Sequence, residues 1–99
     1  SSTNVSNNTN PVRFYANQKL TIGAEGAIKS ITFVCSNGYY TNYATNLQNS
    51  IGTVSGATVT TSGSNVTVTF NNPTATQFVI NTLSADVRLN SLSVTYMQQ

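Results

Sequence analysis

From Val12 onward the apolar residues recur at every second position, in runs broken by Gly, Asn and Ser, which is the period and punctuation of β-strands. The strand segments are Val12 to Tyr15, Lys19 to Ile22, Ala27 to Cys35, a weak one at Ile51 to Ser55, Ala57 to Thr61, Val66 to Phe70, Gln77 to Leu83 and Val87 to Tyr96. No helical stripe stands out. In the longest run Ile31, Phe33 and Cys35 share one face while Thr32 and Val34 share the other. The clearest hairpin joins Ala57–Thr61 to Val66–Phe70 through Thr61-Ser62-Gly63-Ser64, because Gly63 can take positive φ and the flanking alternation is strict. In the last run Val87 and Leu89 lie on one parity and Leu92, Val94 and Tyr96 on the other, so a β-bulge or bend is expected at Asn90-Ser91.

Short strands with small polar turns, and no helices for parallel crossovers, predict an all-β fold: an antiparallel β-sandwich of jelly-roll type with seven to eight strands. A small closed barrel is the other solution. The expected core is Phe14, Leu20, Ile22, Ile31, Phe33, Val66, Val68, Phe70, Phe78, Ile80, Leu92 and Val94. Residues 1–11 carry little apolar side chain and end in Pro11, and read as a flexible linker or terminus; residues 12–99 read as a single domain.

Composition sharpens this in one respect. Of 99 residues, 14 are Asn, 16 Thr, 12 Ser and 5 Gln, whereas only 6% are charged, so the surface is polar without being ionic. The four cations, Arg13, Lys19, Lys29 and Arg88, are scattered singly and make no phosphate-neutralising stripe, which argues against a nucleic-acid partner. No run reaches the length of a membrane span, so no membrane partner is expected. The lone Cys35 sits in an apolar run and reads as a small buried hydrophobe.

Catalysis has little to work with. There is no His, which removes Ser–His and Cys–His nucleophiles and the commonest metal ligand. Glu25 and Asp86 are the only carboxylate side chains, and a glycosidase needs two across one bond; both read as solvated turn residues. The expectation is no enzyme, no catalytic residue, no metal site and no cofactor.

The irregular segment Ser36 to Ser50 is where function is sought. Asn37-Gly38 marks a turn, then Tyr39, Tyr40 and Tyr43 alternate with the amides Asn42, Asn46, Gln48 and Asn49. A sugar presents an apolar C–H face ringed by hydroxyls, and is held by an aromatic plate beside groups that both donate and accept hydrogen bonds. Tyr39, Tyr40, Tyr43, Asn42, Asn46 and Gln48 are therefore the candidate ligand-binding residues. The alternative is that one or two of these rings fold inward to cap the core while the amides satisfy loop backbone. A second candidate is the sheet face opposite the core, with Thr67, Thr69, Gln77, Asn81, Arg88 and Asn90.

The ending Val87-Arg88-Leu89-Asn90-Ser91-Leu92-Ser93-Val94-Thr95-Tyr96 resembles the final strand of jelly-roll, galactose-binding-like carbohydrate-binding modules. Arg13-Phe14-Tyr15, Leu20-Thr21-Ile22 and Ile28-Lys29-Ser30-Ile31-Thr32-Phe33 resemble small accessory β-domains of secreted bacterial proteins. The chain departs from the module pattern in having no Trp, in its shortness and in lacking the acidic cluster of a structural calcium site, which implies a metal-free scaffold. The resemblance implies a non-catalytic carbohydrate-binding module, secreted or at the cell surface, that is part of a larger multidomain protein and holds it to polysaccharide or oligosaccharide. The other reading is a structural spacer or adhesin-like domain of a bacterial cell-surface protein.

Overall fold

The computed structural model describes residues 3–8, 12–37 and 41–97. In chain order these residues form β1 (Thr3–Asn8), β2 (Val12–Phe14), β3 (Leu20–Gly23), β4 (Ile28–Cys35), α1 (Tyr43–Ile51), β5 (Ala57–Ser62), β6 (Asn65–Phe70), β7 (Gln77–Ile80) and β8 (Val87–Met97). The protein is predominantly β, and every strand pairing is antiparallel. The larger sheet runs β1-β8-β4-β6-β5, with β2 also paired to β8; β3 and β7 make a separate two-stranded sheet.

The register explains why one face of the large sheet is apolar. Val59, Val68, Ile31 and Val94 stand directly opposite one another across β5, β6, β4 and β8, and all but Val59 are buried. Paired residues of antiparallel strands project to the same side, so this row forms a continuous apolar floor. Upon it lie α1, which touches β4, β5, β6 and β8, and the buried Leu20, Ile22, Phe78 and Ile80 of the small sheet. Each such fully buried side chain contributes about 1.5–3 kcal/mol. The expected core residues Phe14, Phe70 and Leu92 pack against this cluster only half-buried, and Ile28, Cys35, Tyr43, Ala44, Leu47, Leu83, Val87 and Leu89 join it.

The break expected in the last strand falls where parity requires it. Val34 opposes Ser91 and Cys35 opposes Leu89, leaving Asn90 as the extra residue that returns Val87 and Leu89 to the same face as Val94. A second irregularity skips Lys29 between Ile28 and Ser30, and puts Ile28 in the core with Ile31. The β5–β6 hairpin closes on Ser62 opposite Asn65, with Gly63 at φ +59 in the first central position, the place of glycine in a type II′ turn.

Three expectations are corrected. Thr3–Asn8, assigned to the solvated linker 1–11, is strand β1, paired from Thr3 opposite Met97 to Asn8 opposite Leu92. An edge strand needs backbone partners on one side only, so a segment with few apolar residues can form one. Segment 51–55 is not a strand: Ile51 ends α1, and 52–56 are irregular. The third is α1 itself, where no helix was expected. Asn42 caps it, its Oδ1 accepting from the Thr45 N–H at 3.0 Å, and Gly52, at φ +65, ends it by donating to the Gln48 carbonyl at 2.9 Å. Between the caps, Tyr43, Ala44, Leu47 and Ile51 make one apolar stripe at helical spacing.

Candidate functional site

The helix redistributes the tyrosine–amide segment. Tyr43 occupies its first turn and is only 8% exposed, packed in the core and not offered to a ligand. Asn42 is consumed by the cap. The Asn46 amide donates to the Asp86 carbonyl at 2.9 Å, and Gln48 Oε1 accepts from the Thr61 hydroxyl at 2.6 Å, so both tie α1 to the sheet. Four of the six candidate residues thus serve the fold: a helix turns every fourth side chain onto the sheet, which a loop reading does not foresee. Tyr39 and Tyr40 lie outside the described residues.

Asp86, expected to be a solvated turn residue, is a junction. Its carboxylate accepts from the Ala16 N–H at 3.0 Å and lies 3.6 Å from the Arg13 guanidinium, while its carbonyl holds Asn46. It thereby joins the turn after β2, helix α1 and the start of β8. Arg13 also stands over the Tyr15 ring, 5.5 Å from its centroid, and Tyr15 is the large apolar side chain left exposed among the described residues. Glu25 is exposed in the turn between β3 and β4. Cys35 is buried, and desolvation pushes its thiol up to about 11. Among the described residues, no group of three His, Cys, Asp or Glu side chains could hold a metal, and no helix is long and apolar enough to cross a membrane.

The second candidate surface divides between two sheets. Thr67 and Thr69 of β6 share the outer face of the large sheet with Arg88 and Asn90 of β8, opposite the buried Val66, Val68, Val87 and Leu89. That face carries rows of hydroxyls in register: Thr60, Thr67, Thr32 and Ser93 in one, Thr58, Thr69, Ser30 and Thr95 in the next, none of them buried. Gln77 and Asn81 belong instead to β7 and the residue after it, in the small sheet. Alternation assigns a residue to a face but does not say to which sheet the strand belongs.

In their new position these two amides line concavities. The first, about 320 Å³, is walled by Ile28, Phe70 and Ala75 and edged by Ser55, Asn71, Asn72, Thr74 and Gln77. Its size is that of a small-ligand site. The side chains of Asn71, Asn72 and Gln77 are exposed, and their amides make no hydrogen bond within the described residues. The second concavity, about 520 Å³, is lined by Ile51, Val54, Phe78 and Ile80 together with Ser50, Thr53, Asn81 and Thr82. No charged side chain lines either one. Phe70, half-buried in the first, meets Phe78, in the second, edge to face at 5.8 Å and 70°, a favourable aromatic arrangement that fixes both rings. Of the lining amides, Gln77 and Asn81 are expected from the sequence on a polar sheet face, whereas Asn71 and Asn72 follow a strand end and precede Pro73, where two amides after an aromatic are the available signal.

Comparison with protein-family models, with curated proteins and with solved structures finds no match.

Proposed function

We propose that this chain is a non-catalytic carbohydrate-binding module of a secreted or cell-surface protein, a β-sandwich of jelly-roll type whose ligand is an uncharged polysaccharide or oligosaccharide. The observation that carries the reading is the first concavity: an apolar wall containing a fixed aromatic ring, edged by three exposed amides that make no hydrogen bond within the described residues, and no charge. An amide both donates and accepts, as sugar hydroxyls require, and an aromatic ring meets the apolar face of a pyranose. Burying a neutral ligand there leaves no unpaired charge, which would otherwise oppose binding. The sandwich architecture is supported by the one core that the buried residues of both sheets share. That the domain is non-catalytic is supported by Asp86, whose carboxylate is taken up by Ala16 and Arg13.

The test is calorimetry and affinity electrophoresis over a panel of neutral polysaccharides. Asn72→Ala and Gln77→Ala should each weaken binding by about tenfold, the loss of one or two hydrogen bonds, without lowering thermal stability. Tyr39→Ala with Tyr40→Ala, in the same titrations, separates the concavity from the segment before α1. Absence of binding to every glycan refutes the reading.

A second reading, a structural spacer or adhesin-like domain, is favoured by the burial of Tyr43 and the engagement of Asn42, Asn46 and Gln48 within the fold. It predicts no glycan binding, and tandem copies of the domain in the parent gene.

A further inference from the structure

We infer that the two concavities are adjoining subsites of a single groove, which takes an internal stretch of an uncharged oligosaccharide chain and not a single terminal sugar. The inference rests on the carbohydrate reading above and specifies the form of its ligand.

Three features join the concavities. Ser55, an exposed turn residue, lines both, so the two spaces meet at its side. Phe70 in the first and Phe78 in the second are in direct ring contact, so no wall of other residues stands between their aromatic surfaces. Strand β7 and the residues after it run along both: Gln77 faces the first, and Phe78 through Thr82 line the second. From Gln77 to Asn81 an extended chain covers about 13 Å, which exceeds the width of one pyranose ring. Exposed amides that make no hydrogen bond within the described residues occur at both ends of that path, Asn72 and Gln77 at one and Asn81 at the other. A monosaccharide reaches only one set; a chain laid along β7 reaches both and passes the half-buried Phe70 ring. A site closed at one end would select chain termini, but here the contacts at each end are side chains at the protein surface.

The experiment is calorimetric titration of the whole chain with cello-, xylo-, manno- and chito-oligosaccharides, from the monosaccharide to the hexasaccharide. The expected result is one ligand per protein, an affinity that rises by about tenfold or more between the monosaccharide and the tetrasaccharide and then levels off. Asn72→Ala and Asn81→Ala should each weaken the hexasaccharide, and the hexasaccharide should lose its advantage over the disaccharide in the double variant. Circular dichroism melting establishes that each variant is folded. A monosaccharide that binds as tightly as the hexasaccharide, or two ligands per protein, overturns the extended groove while leaving carbohydrate binding standing. No binding by any oligosaccharide or polysaccharide removes the carbohydrate reading and this inference together.

Discussion

Replacing Tyr43 tests whether its ring belongs to the core or to a ligand surface, because the two roles differ in stability by several kcal/mol. A buried aromatic side chain removes about 150–250 Å² from water. At about 25 cal/mol per Å² that corresponds to about 4–6 kcal/mol, and a compact unfolded state lowers it to about 3–4. Large aromatic truncations in protein cores fall in the same range, about 3–5 kcal/mol. Tyr43 is 8% exposed and begins α1 against the sheet, so Tyr43→Ala should cost about 3 kcal/mol or more. In a domain of this size each kcal/mol lowers Tm by about 4–8 °C, giving a fall of at least about 12 °C. Tyr43→Phe keeps the ring and should change Tm by only a few degrees. Thermal melts by circular dichroism, with urea midpoints as a second measure, decide the matter. A Tm for Tyr43→Ala within about 3 °C of the parent would refute the packing of α1 described above.

Asp86→Ala should destabilise by about 1 kcal/mol, since the Ala16 N–H loses its acceptor, while Asp86→Asn should recover most of that, because the ion pair with Arg13 is half-exposed and contributes little; urea midpoints of the two variants test the order. Gly26→Ala should abolish or severely impair folding, by more than about 3 kcal/mol, because a methyl group there overlaps the Met97 carbonyl on β8, read as loss of soluble protein or of cooperative melting. The thiol of Cys35 should resist disulfide reagents at pH 8 until the protein unfolds. Its pKa is higher in the folded state, about 11 against 9.0, so the associated stability is complete below pH 9 and is lost as pH rises toward 11, by about 2 kcal/mol. Urea midpoints from pH 8 to 11 should therefore fall less steeply for Cys35→Ala.

What could be read from the chain was what depends on neighbours along it. The parity switch between Leu89 and Leu92 marks the bulge at Asn90, and Gly63 marks the hairpin, because both are local consequences of period-two alternation. Helix α1 is equally local: Asn42, the Tyr43-Ala44, Leu47, Ile51 stripe and Gly52 are a complete set of start, face and stop signals, masked in the sequence because the same Tyr and Asn residues also fit a sugar-binding loop. Strand β1 carries no comparable signal, since its formation depends on a backbone edge of β8 that lies about 90 residues away, as the pairing of Thr3 with Met97 shows. The groove is the least legible feature, as it exists only where the 52–56 turn and the end of β6 meet β7 of the other sheet.

The pairing of Thr3 with Met97 also has a mechanical consequence. Cα atoms paired in this way lie about 5 Å apart, so any chain continuing from either residue leaves from one point at the end of the β1–β8 ladder. Tension between those points would load the ladder bonds one at a time, from Thr3–Met97 inward, and peel the strands apart like a zipper instead of shearing them together. Placed in a longer polypeptide, the domain would add almost no length and little resistance to pulling. It would hang to one side as a pendant, with β5 at the edge of the large sheet opposite the β1 edge that carries the load.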